Sequence, residues 1–184
     1  ETFLELIREL DKIEGIERYR ISSIEPNLIT EETVDFCARS HKFLPHFHIP
    51  LQAGSNKILH LMKRKYDREL FAERVKYINC RMPQAFIAPD VIVGFPHETA
   101  EDFAEAKDFI ASLPLTALHV FTYSERPGTP AAGMPESVPM SERHRRSMEL
   151  QKLSDQKKEA FYQANKGRKV SILRSEEHTS ELQS

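Results

Sequence analysis

Residues 85–95 read AFIAPDVIVGF, and this stretch decides the fold class of the chain. Its apolar and β-branched side chains favour a β-strand. Three further stretches have the same character: residues 19–25 (YRISSIE), 46–52 (HFHIPLQ) and 116–123 (TALHVFTY). The sequence therefore predicts four strands.

Helical patterns separate these strands. Residues that favour helix starts precede the patterns: Thr2 with Glu5, Thr30, Ser55, Asp67, and Thr99 with Asp102. The alternation of strand and helix predicts an α/β fold with a parallel sheet built from right-handed βαβ units. Periodicity leaves open whether the sheet closes into a barrel. In either case, function is expected at the carboxyl ends of the strands.

The pattern changes after Ser124. Residues 125–139 contain four prolines and two glycines, which predicts an irregular connector. A long helix is expected from about residue 141 to residue 165, and Gly167 is expected to end it. Residues 170–173 have the character of a further strand. These boundaries divide the chain into a main unit (1–140), a connecting helix (141–166) and the start of another domain (167–173).

Both ends of the sequence suggest a piece of a longer protein. The chain begins at Glu1, and residues 174–184 (RSEEHTSELQS) match the translation of a common sequencing adapter. We expect this tail to be an artefact; the alternative is a natural polar tail.

Composition sets broad limits on the class of protein. The 184 residues are 40% hydrophobic and 29% charged, which is typical of soluble domains. No stretch approaches the roughly 18 apolar residues that a transmembrane helix needs. Cys37 and Cys80 form no short metal-binding pair, so two buried thiols in a cytoplasmic protein are expected.

Charge is distributed unevenly along the chain. The net charge is −2, but residues 143–169 contain nine Lys or Arg and only three Asp or Glu. A basic helix on an acidic body suggests an anionic partner, whereas a simple solvated helix face is the alternative.

Alternation along the predicted strands sorts their side chains into two faces. Phe47, Ile49 and Leu51 should be buried beneath helices, while His46, His48 and Gln52 point to the opposite face. His-x-His is able to bind a metal ion, but hydrogen bonding within the fold is the favoured interpretation.

Polar residues near the ends of three strands are expected to converge. Asp90 begins DVIVGF, with Val91, Val93 and Phe95 on one face and Asp90 on the other. A carboxylate among apolar residues needs a partner or a ligand. Glu25, Gln52 and Asp90 come from three successive strands, which predicts a polar site.

Five ordered motifs carry a family resemblance: SSIEP, HFHIPLQAGS, MKRKY, DVIVGFPHET and FTYSERPGTPA. In this order they resemble the radical S-adenosylmethionine (SAM) methylthiotransferases, over about residues 1–173. The resemblance implies the second half of a six-stranded partial (β/α)6 barrel of the TIM type. It also implies that the long helix leads into a TRAM domain, a small RNA-binding β-barrel that is truncated here.

The same resemblance implies roles for single residues. SAM contacts are carried over to Glu25, Gln52, Arg64 and Asp90, with Gly94 and Phe95 beside the adenine. Glu25 suits the ammonium of SAM, Arg64 its carboxylate, and Gln52 or Asp90 its ribose hydroxyls. No residue of the chain is assigned to the radical chemistry or to metal binding.

The implied activity is methylthio transfer to C2 of N6-threonylcarbamoyladenosine beside the tRNA anticodon. It would use SAM, two 4Fe–4S clusters and an electron donor such as flavodoxin or ferredoxin. The cluster-binding cysteine motifs are absent from the printed sequence, so we expect this piece alone to be inactive. Cationic residues of the basic arm are expected to bind tRNA: Arg143, Arg145, Arg146, Lys166, Arg168 and Lys169.

Two features bear on the assignment. SSIEP is typical of the threonylcarbamoyladenosine branch, whereas His97 in GFPHET replaces the usual glycine, so a positive φ there would be costly. The alternatives are another radical SAM enzyme, such as an isopentenyl-adenosine methylthiotransferase or a coproporphyrinogen dehydrogenase, and a non-enzymatic module that binds SAM or RNA.

Overall fold

The structure, a computed structural model, describes residues 2–169. Six α-helices form in these residues: α1 (Phe3–Lys12), α2 (Glu31–Arg39), α3 (Asn56–Leu61), α4 (Arg68–Arg81), α5 (Ala100–Ser112) and α6 (Met140–Asn165). Thr2 and Thr99 form reciprocal capping boxes at α1 and α5. Thr30 and Asp67 cap α2 and α4 as the sequence predicts. Ser55 precedes α3, but its side chain makes no capping hydrogen bond.

Four short strands occur in these residues: β1 (His46–His48), β2 (Phe86–Ala88), β3 (Asp90–Val93) and β4 (His119–Thr122). All pairing is parallel, β1 with β2 and β3 with β4. The predicted strand at residues 85–95 is divided at Pro89, which has no N–H for the ladder. The two resulting strands have different partners, so this segment connects the β1–β2 pair to the β3–β4 pair.

The first predicted strand, residues 19–25, is the clearest difference from the sequence prediction. These residues form no regular strand, only isolated parallel bridges from Tyr19 to Phe43 and from Ser23 to His48. The Tyr19 N–H donates to the Lys42 carbonyl at 2.8 Å, and the Tyr19 carbonyl accepts from the Leu44 N–H at 2.9 Å. The segment therefore lies beside β1 without a continuous ladder.

Two apolar clusters support the sheet. The larger one contains Phe47, Ile49 and Leu51, which confirms the predicted buried face of β1. Val91 and Val93 belong to this cluster, but Phe95 belongs to the smaller one with Tyr123. The expectation that Phe95 shares the face of Val91 and Val93 is therefore wrong. Gly94, at φ 77°, ends the alternation and turns Phe95 to the other side.

Helix α6 covers one side of the molecule. Leu150 lies in the larger core, and Ser154 Oγ accepts a hydrogen bond from the Leu118 N–H at 2.8 Å. Lys157 Nζ donates to the Ala111 and Leu113 carbonyls near the end of α5. The helix ends at Asn165, followed by Gly167 at φ 83°, as predicted.

No helix within residues 2–169 has both the length and the apolar character needed to cross a membrane. The predicted strand at 170–173 and the tail at 174–184 lie outside the described residues.

Candidate functional site: an open cleft at the strand ends

A cleft of about 570 Å³ opens beside the ends of β3 and β4. Four of the predicted cofactor contacts line it: Gln52, Arg64, Asp90 and Phe95. Glu25 and Gly94 do not line it directly. Gln52, at φ 68°, bonds to β3 through its backbone, accepting from the Ile92 N–H and donating to the Asp90 carbonyl, both at 2.8 Å. The chain turn at Gln52 therefore fixes this side of the cleft.

Arg64 and Glu25 meet at the edge of the cleft. Arg64 Nη1 lies 3.6 Å from Glu25 Oε1, which brings Glu25 close to the other predicted contacts. Arg64 Nε is buried and has no hydrogen-bond partner in the described residues, and the same is true of the Tyr123 hydroxyl. Both residues line the cleft. Because unpaired buried polar atoms are rare, these two atoms point to a polar ligand.

Asp90 has one partner within the fold. His48 Nε2 lies 2.7 Å from Asp90 Oδ1, which leaves the other carboxylate oxygen available. His46 stacks on Phe86 with ring centroids 5.1 Å apart, and burial lowers its pKa. No group of three or more His, Cys, Asp or Glu able to hold a metal ion occurs among residues 2–169. Hydrogen bonding within the fold thus accounts for His48.

Tyr66 holds the segment that precedes Gln52 in place. Its hydroxyl donates to the Pro50 carbonyl at 2.8 Å, and burial raises its pKa to about 12. The phenol therefore stays neutral and acts as a structural donor for the segment that leads into Gln52.

Arg143 and Arg146 are buried residues of α6 and pack against the turn that follows β3. Arg143 is 2% exposed and donates to the Val138 and Tyr123 carbonyls, both at 2.7 Å, and to Glu125. Its stem fills the space beside Gly94, where an added Cβ would collide with Arg143 Cγ. Gly94 is therefore required for close packing rather than for direct contact with the cleft.

A buried ion pair supports the same turn. Arg146 Nη1 lies 2.6 Å from Glu98 Oε2, and this carboxylate oxygen also accepts from the Gly94 N–H at 2.6 Å. Burial raises the pKa of Glu98, against the opposing effects of the Gly94 N–H and Arg146. The pair fixes the turn after β3 to α6.

These contacts correct the RNA-binding prediction for Arg143 and Arg146. Both guanidinium groups are buried and hydrogen-bonded within the fold, so they are not accessible to an RNA backbone. Arg145 is exposed but pairs with Glu142 and Glu149. Lys166, Arg168 and Lys169 are exposed after the end of α6, and Arg168 donates to Asn165 at 2.9 Å.

The connector at residues 125–139 forms the outer wall of the cleft. His97, at φ 67°, and Glu136, at φ 57°, both adopt the left-handed conformation that favours glycine. His97 Nδ1 lies 2.7 Å from Glu136 Oε2, and the His97 N–H donates to the Glu136 carbonyl at 3.1 Å. The departure from glycine at position 97 therefore provides a side-chain contact to the connector.

Several further residues of the cleft were not predicted from the sequence, among them Lys63, Phe121 and Arg126. Phe121 is 53% exposed although it lies within β4. Its position two residues after His119 was the available signal, because alternation places both side chains on the face opposite the core.

The family model of the radical SAM superfamily matches residues 1–110 of this sequence. The chain belongs to the radical SAM superfamily. The matched region contains all six predicted cofactor contacts, from Glu25 to Phe95.

Curated relatives refine this picture. The chain is 46% identical over 155 residues to "Threonylcarbamoyladenosine tRNA methylthiotransferase MtaB" of Bacillus subtilis, covering 84% of this chain and 34% of the relative. It is 41% identical over 173 residues to the protein of that name from Aquifex aeolicus, covering 94% and 42%. It is 39% identical over 153 residues to "tRNA-2-methylthio-N(6)-dimethylallyladenosine synthase" of Carboxydothermus hydrogenoformans, covering 83% and 35%. The chain thus spans less than half the length of these relatives, and the predicted resemblance to methylthiotransferases is confirmed.

Solved structures share the fold at low sequence identity. Escherichia coli coproporphyrinogen III oxidase (HemN) matches with a TM-score of 0.55 and 20% identity, covering 92% of this chain and 37% of that one. The methyltransferase TsrM from Kitasatospora setae matches with a TM-score of 0.56 and 19% identity, covering 70% and 25%. The radical SAM α/β fold is therefore confirmed.

The cleft fits SAM but not an iron–sulfur cluster. Its unpaired Arg64 Nε and Tyr123 hydroxyl and the free oxygen of Asp90 match a ligand with a carboxylate and hydroxyl groups. Cys37 is buried, and burial raises its pKa to about 12, which disfavours the thiolate that a cluster needs. Cys80 is the other cysteine in the described residues and is exposed, so the expectation of two buried thiols is wrong for this residue.

Proposed function

We propose that this chain forms the cofactor-binding half of a tRNA methylthiotransferase that acts on N6-threonylcarbamoyladenosine. The cleft in which Gln52, Arg64, Asp90 and Phe95 come together is the observation that carries the proposal. Similarity to the methylthiotransferases supports the reaction class, and 46% identity to the Bacillus subtilis protein supports the branch.

Each predicted cofactor contact then has a binding task. Arg64 holds the carboxylate of SAM, and Glu25, paired with Arg64 at the cleft edge, accepts from the ammonium group. Asp90, oriented by His48, accepts from a ribose hydroxyl, and Gln52 contributes beside it. Phe95, with Gly94 behind it, lies against the adenine. Bound SAM supplies the 5′-deoxyadenosyl group for radical chemistry, and this chain's residues bind and orient it.

The proposal extends to the whole protein. Residues 1–140 would form the second half of a partial barrel, residues 141–166 the connecting helix, and residues 167–173 the start of a TRAM domain, with an adapter-derived tail at 174–184. Two 4Fe–4S clusters, bound outside this chain, and a flavodoxin or ferredoxin would complete a cytoplasmic system. Arg145, Lys166, Arg168 and Lys169 remain as proposed RNA contacts on the exposed part of the arm.

A chimera tests the function directly. The matching segment of the Bacillus subtilis protein is replaced by residues 1–169 in cells that lack their own copy, and tRNA nucleosides are analysed by mass spectrometry. Recovery of 2-methylthio-threonylcarbamoyladenosine supports the proposal. Recovery of the dimethylallyladenosine product instead would assign the other branch. Neither product, from a chimera that is soluble and binds SAM, would overturn the reaction class.

Two matched variants sharpen this experiment. Asp90→Asn and Arg64→Met in the chimera are expected to abolish the product and to weaken SAM binding, because they remove a charge-assisted acceptor and a donor. Arg74→Met removes a partly buried arginine that lies outside the cleft and pairs with Glu73, so it should leave both measurements unchanged.

A further inference from the structure

One wall of the cleft has no task in holding the cofactor. The wall consists of Lys63, Phe121 and Arg126, which line the same cleft as the predicted SAM contacts but are not among them. These residues come from three separate places: the end of α3, strand β4 and the proline-rich connector. The fold brings these three residues to one cleft, where they are able to contact the same ligand.

Phe121 presents an open aromatic ring. It pairs with Ile92 in the register of β3 and β4, so it stands beside the face that carries Asp90. It is 53% exposed, whereas the other phenylalanine lining the cleft, Phe95, is buried. Exposed aromatic rings beside a cationic groove are the usual platform for bases of single-stranded nucleic acid.

Lys63 and Arg126 are positively charged and form no ion pair within the described residues. Each nearby carboxylate already has a partner: Asp90 has His48, Glu125 has Arg143 and Glu25 has Arg64. Within residues 2–169, the side chains of Lys63 and Arg126 make no ion pair and no hydrogen bond. The mouth of the cleft therefore favours an anion.

Lys63 occupies a position where glycine is favoured. It follows the end of α3 at φ 55°, with its N–H donating to the His60 carbonyl at 2.9 Å. A side chain in this conformation costs roughly 1–2 kcal/mol relative to a relaxed backbone. Strain of this kind is commonly retained at functional sites, so the ammonium group has a use beyond the turn.

We propose that Lys63, Phe121 and Arg126 dock an extruded nucleotide of the RNA substrate. The base stacks on Phe121, and the flanking phosphates lie at Lys63 and Arg126, which directs the base towards the cofactor side of the cleft. This inference rests on the proposed function, because it names where the substrate of that reaction enters. It also relocates the main RNA contact from α6 to the mouth of the cleft.

The test measures RNA binding and SAM binding of the 184-residue chain in parallel. The RNA probe is a labelled hairpin with a single-stranded, adenosine-containing loop, and binding is followed by fluorescence anisotropy over a range of salt concentrations. Phe121→Leu should weaken RNA binding about tenfold, while Phe121→Tyr retains it. Lys63→Gln and Arg126→Gln should each lower the slope of log affinity against log salt by about 0.7.

Matched controls come from α6. Tyr162→Leu removes an exposed aromatic ring, and Lys152→Gln removes an exposed cation, so both should leave RNA binding unchanged. SAM affinity should be unchanged in all cleft-wall variants. An equal loss of SAM affinity would overturn the inference and assign the wall to the cofactor.

Two other outcomes separate the inference from the proposed function. Loss of RNA binding in a Lys166, Arg168 and Lys169→Gln variant, with unchanged binding in the cleft-wall variants, would overturn the inference alone. In that case a product from the chimera would still support methylthio transfer. Failure of the unsubstituted chain to bind the hairpin at low salt, together with no product from the chimera, would overturn both.

Discussion

The cations of α6 and those at the mouth of the cleft differ in what they contact. Arg143 and Arg146 are buried, and each has a carboxylate partner within the fold. Lys63 and Arg126 line an open cleft and have no such partner in the described residues. Two arginines of the region with the greatest positive charge are thus neutralised within the fold, whereas two isolated cations elsewhere are free to bind a ligand. Charge density along the chain does not reveal which charges are available.

The largest expected effect comes from the buried pair on the α6 side. Glu98→Gln keeps the side-chain shape but removes the buried counter-charge of Arg146, which is then paired only with the more exposed Glu142. The free energy of unfolding, measured by urea denaturation, should fall by about 3–5 kcal/mol. Glu149→Gln, which removes more exposed pairs with Lys107 and Arg145, should cost at most about 1 kcal/mol. Equal losses in the two variants would remove the proposed distinction between buried and exposed charges.

The next effect concerns the space beside Arg143. Gly94→Ala places a Cβ against the Arg143 stem at a residue with φ 77°, so steric collision and backbone strain act together. Urea denaturation should give a loss of about 2–4 kcal/mol. At Gly133 an added Cβ meets nothing within 4 Å, so Gly133→Ala should change stability by less than about 0.5 kcal/mol. A tolerated Gly94→Ala would mean that Arg143 moves freely and does not anchor the turn.

Low pH should weaken the ion pairs that the arginines of α6 make with Glu125 and Glu142. Hydrogen bonds from Arg143 lower the pKa of Glu125 to about 2, and those from Arg145 and Arg146 do the same for Glu142. Because these pKa values are depressed in the folded state, the stabilisation is present above the ordinary value of 4.5 and is lost as the pH falls towards about 2. Thermal denaturation across this range should show a shallower fall in Tm for the Glu125→Gln, Glu142→Gln variant.

The cleft mouth provides the control for that experiment. A Lys63→Gln, Arg126→Gln variant should follow the pH profile of the unsubstituted chain, since neither residue pairs with a carboxylate in the described residues. A profile that flattens in this variant as well would show that the two sets of cations have the same role.

The smallest effect has the opposite sign. Lys63→Gly relieves the left-handed strain at φ 55° and should raise the free energy of unfolding by about 0.5–1 kcal/mol. Lys65→Gly, at a neighbouring exposed lysine without a positive φ, should lower it by a similar amount. Both variants are compared by urea denaturation. If both are less stable than the unsubstituted chain, the backbone at Lys63 is not strained.

The helices were predictable because their signals are local. Thr2, Thr30, Asp67 and Thr99 accept backbone hydrogen bonds within the first turn of the helices that they precede, so a few adjacent residues are sufficient to identify each start. The strands were less predictable. Residues 19–25 have the composition of a strand, but only two isolated bridges form, because strand pairing depends on distant partners.

The candidate site was predictable only in part. Gln52, Arg64, Asp90 and Phe95 belong to recognisable motifs, and they line one cleft. Their individual SAM contacts stay predictions. Alternation from His119 indicates the open face of β4 for Phe121, but its meeting with Arg126 in one cleft could not be read from the sequence, because an arginine in a connector is normally solvated.

By itself, the sequence determined the α/β class, the family and the positions of the helices, because these depend on local patterns and ordered motifs. Only the tertiary structure decided which charged residues are free. Arg143 and Arg146 are buried because β3, the connector and α6 meet around Gly94, and Lys63 and Arg126 are open because no described carboxylate lies within pairing distance. A charge is available for binding only when its three-dimensional neighbours leave it unpaired, and the order of residues along the chain does not contain that information.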